Sequence, residues 1–118
     1  EISIKGTTPL IDTYSMSTVN MGGHNATRID VYVRAMRQPP YTTGSLKVAI
    51  GTGPNESTTW SGYQTYNVYY TYQDLHKTFT GNWTQAQIDS LKVKLRGVCG
   101  TGATQKYRID RVWAVVYY

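Results

Sequence analysis

This chain of 118 residues has few charged residues and almost no capacity for cross-linking. Charged residues make up 16% of the chain, against about 25% in an average domain, and there are 7 acidic residues. A single cysteine, Cys99, excludes an intramolecular disulfide. Its thiol fits either a small apolar packing role or a reactive or intermolecular one, and the count alone does not separate these alternatives.

Several functional signatures are also missing from the sequence. No apolar stretch is long enough to cross a bilayer, so we expect no membrane span. There is no glycine-rich phosphate loop, no metal-ligand spacing and no ordered Ser, His and Asp set. The acidic residues are widely separated, which argues against a paired-carboxylate glycosidase. We therefore predict a protein that is not an enzyme, with no catalytic residues, no metal and no cofactor.

The residues that are abundant favour β-structure. The chain has 11 Tyr and only 1 Phe, and Tyr and Thr are strand formers. Side chains alternate with a period of two, most clearly over Arg28 to Met36, where apolar and polar side chains point to opposite faces. In the last strand, Lys106 to Tyr118, Ile109 is out of phase with Val112. Either Ile109 faces outward or, as we predict, a β-bulge near Asp110 and Arg111 returns it to the core.

One short helical turn interrupts this pattern at residues 84–90. Thr84 and Gln87 form the signature of a capping box.

We also predict an extended segment from Tyr66 to Tyr72 and a strand from His76 to Thr80. Roughly seven or eight strands with regular turn signals indicate one all-β domain over residues 1–118, a two-sheet antiparallel β-sandwich.

Two segments of the C-terminal third form a pattern, Trp83 to Leu95 followed by Ile109 to Tyr118. A Trp-Thr turn, an Ile-Asp-x-Leu segment, a strand, a glycine loop and a final aromatic strand follow in that order. This pattern resembles the end of jelly-roll-like β-sandwich modules in phage structural proteins and microbial surface proteins. The resemblance implies an exposed structural or adhesive setting and supplies no catalytic residues.

Three sequons for N-glycosylation begin at Asn25, Asn55 and Asn82. All three stand beside turn residues, although chance occurrence in a Thr-rich chain is the competing explanation. Modification would place the protein outside the cell, on a cell surface or on a virion surface.

An aromatic cluster is the main candidate contact surface. Flat rings stack on the apolar faces of sugars, and the same rings are enriched at protein interfaces and in cores. The cluster comprises Trp60, Tyr63, Tyr66, Tyr69, Tyr70 and Tyr72.

The formal net charge is +5, and Lys92, Lys94 and Arg96 form a local basic row. The row fits a solvated strand face or a contact with an anionic glycan or phosphate. It is too short and isolated to favour nucleic acid as a partner.

The N-terminal segment, residues 1–11, carries the candidate assembly residues Ile2, Ile4, Leu10 and Ile11. This segment fits an ordinary edge strand or a strand donated to a neighbouring copy. We therefore predict a structural subunit that assembles with copies of itself into a filament or a particle surface layer. The alternative is a carbohydrate-binding module that uses the Trp60 to Tyr72 aromatics and binds glycans.

Overall fold

The computed structural model describes residues 2–5, 10–37, 44–54, 58–99 and 104–118. They form strands and one short helix, in this order: β1 Ile2–Lys5, β2 Leu10–Ser15, β3 Ala26–Arg37, β4 Gly44–Thr52, β5 Thr59–Trp60, β6 Gln64–Tyr66, β7 Gln73–Trp83, α1 Gln85–Asp89, β8 Lys92–Cys99 and β9 Thr104–Tyr117. The all-β prediction is confirmed.

The strands form two antiparallel sheets that pack face to face. Sheet A has the order β1-β9-β3-β7, and sheet B has the order β2-β8-β4-β5, with β6 also paired to β4. The first strand thus pairs with the last, the second with the eighth, the third with the seventh, and the fourth with β5 and β6. This nested pairing is the strand arrangement of a jelly roll.

The core between the sheets follows the alternation read from the sequence. On β3, the inward residues Ile29, Val31, Val33 and Ala35 are fully buried. On β8, Val93 and Leu95 are buried while Lys92, Lys94 and Arg96 lie on the other face. Burying one such aliphatic side chain is worth about 1.5–3 kcal/mol, so these rows hold the sheets together.

The predicted bulge in the last strand is present. Arg34 lies opposite Arg111, but Ala35 lies opposite Ile109, so Asp110 is the extra residue on β9. The bulge shifts the phase by one residue. Ile109 therefore packs against the core on the same side as Val112.

The predicted helical turn is α1, and its capping box is complete. Thr84 Oγ1 accepts a hydrogen bond from Gln87 N at 3.3 Å, and Gln87 Oε1 accepts one from Thr84 N at 2.8 Å. Gln85 also ties the helix to the loop before β3. Its side chain accepts from Met21 N at 2.9 Å and donates to Val19 O at 2.6 Å.

Two predictions about the middle of the chain are wrong. The segment from Asn67 to Tyr72 forms no strand, because the pairing of β6 with β4 ends at Tyr66. The strand expected to end at Thr80 continues to Trp83, because Ala26 of β3 pairs with Trp83 beyond a register shift.

The N-terminal segment lies on its own sheets. The backbone of Ile2 and Ile4 belongs to β1, an edge strand paired with β9, and that of Leu10 and Ile11 to β2, paired with β8. The structure describes the backbone of these four residues but not their side chains. The edge-strand interpretation fits this pairing, and donation to a neighbour stays a prediction.

Candidate functional site

The outer face of sheet A carries a row of stacked rings across three neighbouring strands. Register places Tyr32 of β3 between His76 of β7 and Trp113 of β9. The Tyr32 and Trp113 centroids are 5.1 Å apart with the planes 10° from parallel, and Tyr32 and His76 are 5.2 Å apart. The Arg111 guanidinium lies 4.5 Å from the Trp113 centroid. The rings stack on one another, so this row is a cross-strand packing feature.

A buried carboxylate lies beside this row. Asp30 faces outward on β3 but is only 1% exposed, because Arg28 and Thr78 cover it. It accepts hydrogen bonds from Arg28 Nε at 3.0 Å, Arg28 Nη2 at 2.7 Å and Thr78 Oγ1 at 2.7 Å. The Arg28 hydrogen bonds lower the pKa of Asp30 below its usual value, although burial acts in the opposite direction.

Other cations of sheet A also have partners. Arg34 forms ion pairs with Asp74 at 3.1 Å and with Asp110 at 3.5 Å. Arg28 also lies 4.6 Å from the centre of the Tyr117 ring. This face therefore satisfies much of its charge within the chain.

The outer face of sheet B carries cations that do not pair with described carboxylates. We call this surface the basic face and define it by Lys47, Lys92, Lys94 and Arg96 with the rings of Trp60 and Tyr63. Lys94 Nζ lies 4.0 Å from the Trp60 centroid and 5.6 Å from that of Tyr63, and Arg96 Cζ lies 5.5 Å from Tyr63. None of its four cations forms an ion pair within the described part of the chain.

Gly51 leaves the space in which the Trp60 ring lies on the basic face. Gly51 pairs with Trp60 in the sheet, and a Cβ added to Gly51 would lie 2.7 Å from a ring carbon of Trp60 and 2.7 Å from Thr58 Cγ2. Only a residue without a side chain leaves room for the indole to lie against the strand.

The predicted aromatic cluster does not form one exposed surface. Tyr66 is buried, and its hydroxyl donates to Val31 O at 2.9 Å, so it is a core residue and not a contact residue. Burial raises the pKa of the Tyr66 phenol. Trp60 and Tyr63 belong to the basic face. Tyr69, Tyr70 and Tyr72 are exposed on the segment before β7.

The sequons fall in different places. Asn25 is exposed just before β3, and Asn82 is exposed on β7, on the neighbouring strand at the same end of sheet A. Asn55 lies outside the described residues. Cys99 ends β8, and its side chain lies outside them as well.

A groove runs along the edge of β9 that faces away from β3. It has a volume of about 420 Å³ and is bordered by residues 112–116 of β9 on one side, with Met16, Val19, Ile88 and Leu91 opposite. On that edge β9 pairs with β1 only from Thr104 to Tyr107. Along this same edge, no described strand pairs with β9 from Ile109 to Tyr117, whereas its other edge is paired with β3.

The sequence patterns missed the stacked row and the groove. Alternation alone could place Tyr32 and Trp113 on outward positions, but only the register of β3 with β7 and β9 brings Tyr32, His76 and Trp113 together. A signal for the open edge was present, since residues 112–118 contain no charged residue.

Comparisons with known proteins give no family for this chain: neither a protein-family model nor a curated protein sequence matches it. Among the residues described, no helix is long and apolar enough to span a membrane. The same residues hold no group of three or more His, Cys, Asp or Glu that could bind a metal ion.

Proposed function

We propose that this protein is a non-enzymatic structural subunit, located outside the cell or on a virion surface, that assembles with copies of itself into a filament or a surface layer. The observation that carries the proposal is the edge of β9 from Ile109 to Tyr117, which pairs with no described strand and lies above a groove bordered by Met16, Val19, Ile88 and Leu91. An unpaired strand edge presents a row of N–H and C=O groups that another strand can bind.

The residues of this edge suit contact with protein. Val115, Tyr117 and Tyr118 are among the exposed large hydrophobic residues of the chain, and Val115 is 37% exposed. The inward residues Val112 and Ala114 stay partly exposed, whereas their counterparts on β3 are fully buried. Residues 112–118 carry no charge and no proline, and the bulge at Asp110 and the charges of Arg108 and Arg111 stand before this run, so the features that discourage edge pairing are absent from the run itself.

The other edge of sheet A has such devices. β7 carries Asp74, His76 and Lys77, and the Gln64 side chain donates to the Thr78 carbonyl at 2.8 Å. Charged residues and a side chain bonded to the backbone discourage strand addition. The contrast supports β9 as the assembling edge.

The occupant that we propose is β9 of a second copy, running antiparallel. A register centred on Ala114 places Val112 opposite Val116 and Arg111 opposite Tyr117 of the second copy. No two like charges then face each other, which matters in a chain of net charge +5. Each copy would also cover the groove of the other with its own Val112 and Val116.

A filament or layer needs a second contact, because a two-fold pairing through one edge closes as a dimer. The exposed tyrosines Tyr69, Tyr70 and Tyr72 precede β7, at the opposite edge of sheet A. Tyrosine is enriched at protein interfaces. Contacts at opposite edges of one sheet extend an assembly in a line.

The test is the molar mass of the full chain by light scattering as a function of concentration. We expect the wild type to form dimers and larger species, and Val115→Lys, which places a charge on the exposed side of the edge, to remain a monomer. Ala86→Lys adds the same charge at an exposed position of α1 and should assemble like the wild type. A monomeric wild type, or equal loss of assembly in both variants, would refute the proposal.

A further inference from the structure

The basic face of sheet B has a feature that self-assembly does not explain. Lys47 of β4 lies directly opposite Arg96 of β8, and Lys94 follows Arg96 at the next outward position of the same strand. Like charges directly opposite each other destabilise a sheet. The chain therefore keeps an unfavourable arrangement here.

The described carboxylates do not neutralise the positive charges of Lys47, Lys94 and Arg96. Asp30, Asp74 and Asp110 pair with arginines of sheet A, and Asp89 accepts from Gln85 at 2.8 Å. Arg96 Nε is buried and has no hydrogen-bond partner among the described atoms. A buried guanidinium N–H without a partner is costly, so the position of Arg96 is a second unfavourable feature of this face.

The rings of this face add a second kind of contact. Trp60 and Tyr63 lie among the cations, within 4.0–5.6 Å of Lys94 and Arg96. Aromatic rings pack on the apolar C–H faces of sugars, and ammonium and guanidinium groups pair with carboxylate or sulfate. A sugar chain that carries acidic groups uses both kinds of contact.

We propose that the basic face binds an acidic polysaccharide, with Lys47, Lys94 and Arg96 pairing with its carboxylate or sulfate groups and with Trp60 and Tyr63 contacting its sugar rings. The basic row is short, since three alternate residues of a strand span roughly 13 Å. It therefore fits a few sugar units better than the long phosphate track of a nucleic acid.

This site is independent of the assembling edge, because β9 belongs to the other sheet. A monomeric Val115→Lys variant should keep the affinity of each site for a short oligosaccharide. Failure of assembly and failure of sugar binding are thus separate results.

The test is calorimetric titration of the full chain, with tryptophan fluorescence in parallel. The probes are an oligogalacturonate, a sulfated dextran oligomer, neutral dextran of the same length and a single-stranded DNA oligomer. We expect binding of at least one acidic sugar, weakening as salt is added, and no binding of neutral dextran. Lys94→Gln should weaken binding about tenfold, the usual size for loss of one charge-assisted hydrogen bond.

Two variants keep the result specific to this face. Arg34→Gln removes a cation beside a tyrosine on sheet A and should bind like the wild type, and Lys94→Arg should retain most of the affinity. No binding of either acidic sugar would overturn the proposal. So would equal binding of neutral dextran, equal weakening in Arg34→Gln, or tighter binding of DNA than of both acidic sugars.

Discussion

The outer faces of the two sheets use the same kinds of side chain but treat their charges differently. On sheet A, Arg28 and Arg34 pair with carboxylates, and the rings of Tyr32 and Trp113 stack on each other. On sheet B, Lys47 faces Arg96 without a described counter-charge. Charges paired with carboxylates contribute to the fold. The cations of sheet B have no described carboxylate partner: Lys94 and Arg96 lie beside rings, and Lys92 donates to Gly53 O and Thr58 Oγ1. The comparison supports a structural task for the face of sheet A and the recognition task that we propose for the face of sheet B.

The largest expected effect comes from disrupting the paired charges of sheet A. Asp30→Asn removes the acceptor charge that Arg28 and Thr78 bind. We expect the free energy of unfolding to fall by about 1.5–3 kcal/mol, the range for a hydrogen bond to a charged group. Denaturant unfolding measures this directly, and a loss below about 0.5 kcal/mol would contradict the structural task of this face.

The same carboxylate predicts a pH dependence. The pKa of Asp30 is lower in the folded protein than the usual 3.8. Below pH 3.8 the unfolded chain therefore takes up the proton first, so stability falls as pH drops through this window and is fully present above it. Asp30→Asn lacks this contribution. Unfolding curves between pH 5 and 2 should show a shallower decline in the variant than in the wild type, and parallel declines would refute the assignment.

A smaller loss of unfolding free energy is expected at the contact between Gly51 and Trp60 in sheet B. Gly51→Ala forces a methyl group against the Trp60 ring and Thr58. We expect a loss of about 1–2 kcal/mol from overpacking, together with a change in tryptophan fluorescence and weaker binding of acidic sugar. An unchanged spectrum would mean that Trp60 does not depend on Gly51.

The smallest effect should come from the cations of sheet B that have no described carboxylate partner. Lys94→Met removes the ammonium that lies 4.0 Å from the Trp60 centroid, so the loss of a cation–π contact and the relief of crowded positive charge oppose each other. Its effect on the free energy of unfolding should stay within about 0.5 kcal/mol, as for a surface change without a structural role. A loss as large as that of Asp30→Asn would remove the distinction between the two faces.

The alternation of side chains was enough to predict the sandwich, the inward rows of β3 and β8 and the bulge at Asp110, because these depend on local phase. The capped helical turn was predictable for the same reason, since Thr84 and Gln87 are three residues apart. Contacts that depend on the register between strands could not be predicted from the sequence. The Tyr66 hydroxyl reaches the carbonyl of Val31, 35 residues away, so its core role could not be recognised.

In the candidate site as well, the features set by local alternation were predictable and those set by strand pairing were not. Alternation identified the basic row of β8 but not its neighbours, because Lys47 and Trp60 join it only through the pairing of β4 with β8 and β5. Likewise, the uncharged run at the end of β9 is visible in the sequence. That no described strand covers it follows only from the register of β1, whose partners on β9 are Thr104 to Tyr107.

The most direct test of self-assembly is electron microscopy of the natively isolated protein beside Val115→Lys at equal concentration. The account predicts filaments or regular layers for the wild type and single small particles for the variant. Isolated particles of single-chain size in both samples would contradict it.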